Sequence, residues 1–311
     1  MLSYNDYCRR IFGRPMLKLS LNIGYGCPNR DGKLGTGGCT FCNNEAFVPS
    51  YCMPHKTITQ QINEGFHFHA RRRHKGGFLA YLQAYSNTYA PLNVLKRHYE
   101  EALRHPMISG LVIATRPDCV EEALLDYLGF LARKHYVMVE YGIESCYDST
   151  LANVRRGHTF DCSVRAIRAT ATHGIHCGGH LILGLPGECR EDILHEADLI
   201  SNLPLECLKL HQLQILKGSA MELEYRRNPQ ACPPPFSLED YVELVCEFCR
   251  RLRPDIVVER FAGQVPLHLQ AMPHRCWRHP DGSPVTAQEV TALVSARLKK
   301  ENLSEHTSLQ P

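Results

Sequence analysis

Cys27, Cys39 and Cys42 bracket one short segment, CPNRDGKLGTGGCTFC. Cys39 and Cys42 are in CxxC spacing, which lets two thiolates close on one inorganic centre. Cys27 precedes Cys39 with eleven residues between them. Gly32, Gly35, Gly37 and Gly38 fall in this loop and allow close backbone approach to bridging sulfides. Three thiolates would leave one iron of a cubane without a protein ligand, free for a chelating small molecule. Zinc is the competing centre. It needs a fourth protein ligand, which Cys52 or His55 could supply. A cluster fully ligated through Cys52 is a further alternative. A packing role fits these three poorly, because an exposed glycine-rich loop does not bury thiols.

The rest of the composition narrows the setting. The chain has 15 cysteines, an odd number at irregular spacings, so they do not read as a disulfide framework. No apolar run reaches the roughly 18 residues of a membrane span, and the start, MLSYNDYCRR, lacks a basic-then-apolar signal pattern. The expectation is a cytoplasmic protein with no membrane partner, most of whose thiols are small buried hydrophobes. The net charge of +3 over 311 residues gives no global field of the kind that marks a nucleic-acid binder.

Positioning this loop requires a scaffold, and the chain shows strand–helix alternation. Strand patterns cover Leu17–Gly24, Phe78–Tyr85, Gly110–Thr115, Val137–Ser145, Gly179–Leu185 and Leu208–Ile215, with helical periodicity between them. Six such units predict parallel βα pairing, short of the eight in a full barrel. Each strand has an apolar face, such as Leu17, Leu19, Leu21 and Ile23. Its other face carries sparse polar groups, such as Lys18, Glu140, Glu144 and His180. A curved sheet around a polar cavity explains that asymmetry better than a sheet buried on both faces. After about residue 216 the rhythm changes. Cys232–Pro235 reads as an extended linker, followed by a helix over Ser237–Leu252, a short strand over Asp255–Phe261 and a helix over Thr286–Lys300. The predicted division is a barrel core over 1–235 and a C-terminal extension over 236–311, with a frayed tail from about Asn302.

The cysteine segment resembles the motif of radical SAM enzymes with an expanded first gap, and Phe41 matches the aromatic usual before the third cysteine. The segments LQAYSNTYAP (Leu82–Pro91), IATRPDC (Ile113–Cys119), GIESCYDSTLANVRRGH (Gly142–His158), HLILGLPGE (His180–Glu188) and LKLHQLQILKGS (Leu208–Ser219) resemble the YhcC/YtqA family. That family is similar in its core to the radical SAM subunit of the Elongator tRNA-modifying complex. The resemblance spans about residues 1–270. It implies an α/β fold, a radical SAM partial (βα)6 TIM-like barrel with a small C-terminal extension. It implies a [4Fe-4S] cluster on Cys27, Cys39 and Cys42, S-adenosyl-L-methionine as cosubstrate, and an electron donor such as flavodoxin or ferredoxin. It further implies that Phe41 packs near the adenine and that Glu140, Glu144 and Ser145 serve the ribose and amino-acid moieties. Arg156 would meet the carboxylate, or else pair with Glu140 in the barrel wall. One departure stands out: a GGE-like run after the second strand is replaced by Gln83-Ala84-Tyr85-Ser86-Asn87. Gln83 or backbone carbonyls would have to hold the methionyl amino group.

The same resemblance implies modification of the wobble uridine in tRNA. A small-molecule substrate is the alternative within enzymes, and a non-catalytic iron–sulfur or zinc redox sensor the alternative outside them. Substrate contacts are expected from Lys56, Tyr85, His180, His211 and Lys217, with Tyr81 and Tyr89 as further stacking surfaces and Arg226, Arg227 and Arg260 as rim cations. The basic run Arg71–Lys75 reads as a solvated helix end, or as a peripheral RNA contact. Cys246 and Cys249 form a second CxxC with Cys276 downstream, but apolar neighbours make it an amphipathic helix with core cysteines.

Overall fold

The computed structural model describes residues 3–43, 48–70, 76–231, 233–272 and 276–308. The basic run Arg71–Lys75 lies outside them. Seven strands form one parallel sheet in chain order: β1 (Met16–Leu21), β2 (Gly77–Leu82), β3 (Ile108–Thr115), β4 (Tyr136–Glu144), β5 (His176–Leu183), β6 (Cys207–Gln212) and β7 (Val257–Arg260). Helices return the chain between strands: α2 (Ile58–Ala70), α3 (Leu92–Arg104), α4 (Glu122–Ala132), α5 (Asp148–Asn153) with α6 (Phe160–Thr172), and α7 (Arg190–Ser201). In-order parallel strands linked by helices make the partial barrel expected. The count of six is corrected to seven, because the short strand of the C-terminal extension pairs with β6.

The predicted two-faced strands are present. Leu19, Leu21, Ala80, Leu111, Val139 and Leu181 are fully buried in the outer core under the helices. Their strand neighbours Lys18, Tyr81, Glu140, His180 and Lys209 point into the barrel. This follows from the two-residue period of a strand.

A helix that the pattern did not reveal, α1 (Tyr4–Phe12), closes the barrel's N-terminal end. Ser3 caps it by accepting from the Asp6 N–H, and Gly13 ends it in the left-handed region. Its Tyr7 and Cys8 pack on Met16, Leu79, Met138 and Cys207 inside the sheet. The Tyr7 hydroxyl donates to Glu206 at 2.9 Å. The chain continues past β6 through α8 (Ala220–Arg227), α9 (Leu238–Arg251) and α10 (Ala287–Ser308). α10 runs beyond the predicted end at Lys300, since no glycine or proline interrupts it. Cys246 is buried on α9 among core side chains, with its thiol directed at the Val294 carbonyl. Trp277 packs at 4.9 Å on Tyr241 and donates to the Phe236 carbonyl. No helix among the described residues is long and apolar enough to cross a membrane.

Candidate functional site

Buried charge forms the floor of the barrel interior. Glu140 of β4 is met by Lys18 of β1, by Lys209 of β6 at 2.6 Å and by His180 of β5 at 3.1 Å. Glu259 of β7 receives Lys18 and, at 3.5 Å, Lys209. Two cations and two carboxylates thus tie the two edges of the open sheet to its centre. Burial opposes ionisation of Glu140, but Lys18, Lys209 and His180 outweigh it and hold the carboxyl well below its ordinary range. Both oxygens of Glu140 are engaged, and its predicted partner Arg156 lies elsewhere.

Above this floor opens a cavity of ≈ 240 Å³. Cys27, Cys39 and Cys42 all line it, together with Phe41, Gln83, Tyr85, Glu144 and Arg156. The cysteine loop folds on itself through Gly38 N–H to Asn29 O at 2.7 Å and Leu34 N–H to Pro28 O at 2.8 Å. Gly38 has φ +74°, and a Cβ there would meet the Arg30 side chain at 2.8 Å. The loop is clasped by the segment after α5. Thr40 N–H donates to Val154 O at 3.0 Å, and the Asn29 side chain donates to Arg155 O at 2.6 Å.

Cationic groups surround the sulfurs. Arg156 approaches Cys39 Sγ at 3.6 Å and Glu144 at 3.4 Å, and donates to Gly142 O at 2.6 Å. Its Nε is buried without a partner. Arg116 reaches Cys27 Sγ at 4.0 Å, donates to Arg156 O at 2.8 Å and forks onto Asp118 through two bonds of 2.8 Å. Arg30 donates to Cys42 O at 3.0 Å and lies over the Tyr85 ring. Burial pushes the Cys42 thiol up, with Cys39 adding to the rise and Arg30 and Arg156 opposing it. Tyr85, Glu144 and Arg155 have φ of 57°, 69° and 55°. Non-glycine residues rarely occupy this region, and local strain of this kind concentrates at functional sites.

The remaining expected residues divide. His180 and His211 line the cavity with ring centroids 5.8 Å apart. Burial drives the His211 imidazole well below its ordinary range, and Arg260 reinforces that. Ser145 is buried but turned away, donating to Glu188 at 2.5 Å, because the chain bulges and changes hand at Glu144. Lys56 lies outside and pairs with Glu64 at 2.6 Å. Lys217 also lies outside the lining, although its carbonyl accepts from Asn43 at 2.6 Å. The Tyr81 ring already faces Lys209 at 4.4 Å, the Tyr89 ring faces Lys33, and Arg226 pairs with Glu222. The proposed zinc partners are also displaced. Cys52 is buried, donates to Ser20 O at 3.0 Å and has its thiol pushed up to about 12 by burial. His55 is exposed. Among the described residues, the three ligand atoms that come within 4.8 Å of one another belong to Glu122, Asp126 and His173, on the surface. The three cavity sulfurs are not drawn together for a single ion. Residues absent from the expected set are Asn29, Arg30 and Arg116. Asn29 and Arg30 stand inside the cysteine segment, and Arg116 inside IATRPDC, where an arginine two residues before an aspartate was the available signal.

A second cavity of ≈ 130 Å³ adjoins the first and shares Gln212, Leu213 and Gln214 with it. Its far wall comes from the C-terminal part, including Phe236, Val265 and Trp277.

Comparison with known proteins places this geometry. The Radical SAM superfamily profile matches residues 21–200, and the Radical SAM C-terminal domain profile matches residues 205–281. The uncharacterised protein YtqA of Bacillus subtilis is 35% identical over 273 residues, 86% of this chain and 83% of the relative. A tRNA uridine(34) acetyltransferase of Methanocaldococcus infernus is 24% identical over 171 residues, 53% of this chain and 30% of its own length. Among solved structures, Elp3 of Methanocaldococcus infernus superposes with a TM-score of 0.66 at 14% identity, covering 93% of this chain. The chain spans 63% of that longer protein.

Proposed function

The chain belongs to the radical SAM superfamily of enzymes, whose cofactors are a [4Fe-4S] cluster and S-adenosylmethionine, and we propose that Cys27, Cys39 and Cys42 hold the cluster here. The observation that carries this reading is that all three cysteines line one cavity, which Arg30, Arg116 and Arg156 also line. Thiolates and their cluster form an anionic centre, and this donor set fits one. A cluster held by Cys27, Cys39 and Cys42 would supply one-electron reduction of S-adenosylmethionine, the source of radical chemistry.

The chain's own groups then bind, orient and exclude water. Phe41 offers an apolar wall for the adenine. Gln83, with Tyr85 and Ser86 beside it in the cavity lining, is suited to the methionyl amino group, where a GGE-like run is absent. Glu144 is available to the ribose and amino-acid moieties. Arg156 faces the Cys39 sulfur, so its charge serves the thiolate side of the site before it serves a carboxylate. Glu140 acts beneath the site by fixing Lys18, Lys209 and His180.

For the substrate we favour the wobble uridine of tRNA. Support comes from the Elp3-like fold together with the kinship to a tRNA uridine(34) acetyltransferase. The exposed Tyr85 offers a stacking face at the cavity mouth, where a flipped base would enter. A redox sensor would need no such chamber. The test is nucleoside mass spectrometry of tRNA from a deletion strain, with mobility shifts of bulk tRNA at two salt concentrations. Loss of one wobble nucleoside and salt-sensitive binding are expected. If tRNA neither shifts nor loses a modification, the substrate is a small molecule and the radical chemistry stands.

A further inference from the structure

Charges around the chamber are met in pairs. Arg116 has Asp118, Arg156 has Glu144, and Lys18 and Lys209 have Glu140 and Glu259. Arg30 is bound to the cysteine loop itself. Arg260 lines the same chamber, yet among the described residues it has no carboxylate within ion-pair distance and no acceptor for its guanidinium.

Its orientation has a structural cause. Leu208 pairs with Val258, but Lys209 pairs with Arg260, so one extra residue is accommodated on β7. In a regular strand Glu259 and Arg260 would point to opposite faces. The bulge turns both inward: Glu259 meets Lys18 and Lys209, and Arg260 reaches the chamber wall. Bulges beside active sites commonly re-aim a side chain in this way. Near Arg260, His211 is a half-buried lining residue that makes no hydrogen bond among the described residues. His180 is committed to Glu140 through Nε2. Burial first, and then repulsion from Arg260, His180 and Lys209, disfavours the charged form of His211, and a neutral imidazole has one N–H to donate. Nearby carboxylates do not compete for Arg260, since Glu140 and Glu259 are taken by the two lysines.

We propose that Arg260 and His211 form an anion subsite, on the β6–β7 wall of the chamber, that binds a carboxylate or phosphate of the substrate. Arg260 is solvent-exposed where it lines the cavity, and an uncommitted guanidinium there favours a bidentate anion. The subsite deepens the reading of this cavity as the reaction chamber and does not depend on the substrate being tRNA.

The test is protection of Arg260 from phenylglyoxal in the anaerobically reconstituted full chain. Labelling is followed by peptide mass spectrometry, with the exposed Arg9 as internal standard. Sodium acetate and sodium phosphate are compared with sodium chloride at equal ionic strength, and S-adenosylmethionine forms a fourth arm. Acetate or phosphate should slow Arg260 labelling at least about fivefold relative to Arg9, and the stronger of the two identifies the anion. His211→Asn should remove most of that protection. Protection by S-adenosylmethionine alone would assign Arg260 to the cosubstrate and overturn the proposal. So would equal labelling in all arms, an Arg260 that fails to label without any anion, or unchanged protection in His211→Asn. Each readout is independent of tRNA, so failure of the wobble-uridine reading leaves it intact.

Discussion

Arg156 stands 3.6 Å from the sulfur of Cys39, although 117 residues separate the two. The contact exists because the segment after α5 clasps the cysteine loop. The backbone carbonyls of Val154, Arg155 and Arg156 accept from the Thr40 N–H, the Asn29 side chain and the Arg116 guanidinium respectively. The loop's shape is therefore set from the far side of the barrel mouth, and its chemistry and its folding depend on the same residues.

The cysteine assignment makes the first prediction. Anaerobic reconstitution should yield about four irons and four sulfides per chain. Cys27→Ala, Cys39→Ala or Cys42→Ala should each lose most of them by iron and sulfide analysis. Cys52→Ala and Cys246→Ala should keep wild-type content, since those thiols face Ser20 and Val294. Bound zinc in the purified chain, or full iron content in Cys39→Ala, would refute the ligand set.

Arg156 and its neighbour Arg155 supply a matched pair for the second. Arg156→Ala leaves Glu144, mostly buried, without its cation and Cys39 without its donor. Stability of the metal-free chain in urea should fall by about 3 kcal/mol. Arg155 pairs with Glu224 at 3.3 Å on the surface, and Arg155→Ala should change stability by less than about 1 kcal/mol. Equal losses in the two variants would mean that Arg156 contributes only as part of the clasp's surface.

Much of this architecture was legible in the sequence because strand alternation reports burial directly. Lys18, Glu140 and His180 interrupt apolar runs on the face opposite the apolar one, and those interruptions point into the interior. What alternation cannot report is pairing across the barrel. Glu140 was readable as a cavity residue, but its partners Lys18 and Lys209 are 122 and 69 residues away. The inward turn of Arg260 depends on a bulge that leaves no local signature. Ser145 was misplaced for a similar reason, since the positive φ at Glu144 breaks the two-residue period one position earlier.

That buried charge cluster gives the third prediction. Lys209 is 2% exposed and bonded to Glu140, Glu259 and the Tyr81 hydroxyl. Lys209→Met should destabilise the chain by about 3–5 kcal/mol, because it strands carboxylate in a site closed to water. Lys209→Met combined with Glu140→Gln should recover part of that loss. A double variant as unstable as the sum of the two singles would show that the groups do not interact.

The last prediction concerns pH. Glu188 and Glu196 lie together behind Ser145 and Cys146. Ser145 donates to Glu188 at 2.5 Å, and Cys146 N–H donates to Glu196 at 2.7 Å. Each carboxyl has a second oxygen that is buried without a partner. Burial, followed by the neighbouring carboxylate, pushes Glu196 well above its ordinary range, and burial pushes Glu188 up to about 7. The folded chain therefore holds a proton that the unfolded chain releases above about pH 4.5. This contribution to stability is fully present below that pH and is lost as pH rises through about 7. Glu188→Gln keeps the shape and removes the titration. The stability of that variant relative to wild type should rise by about 2 kcal/mol between pH 5 and pH 8, read from urea midpoints at each pH. Subtraction removes the other titrating groups, including Glu140, whose depressed range acts in the opposite direction. A difference that stays flat across the interval would mean that Glu188 is already ionised in the folded chain.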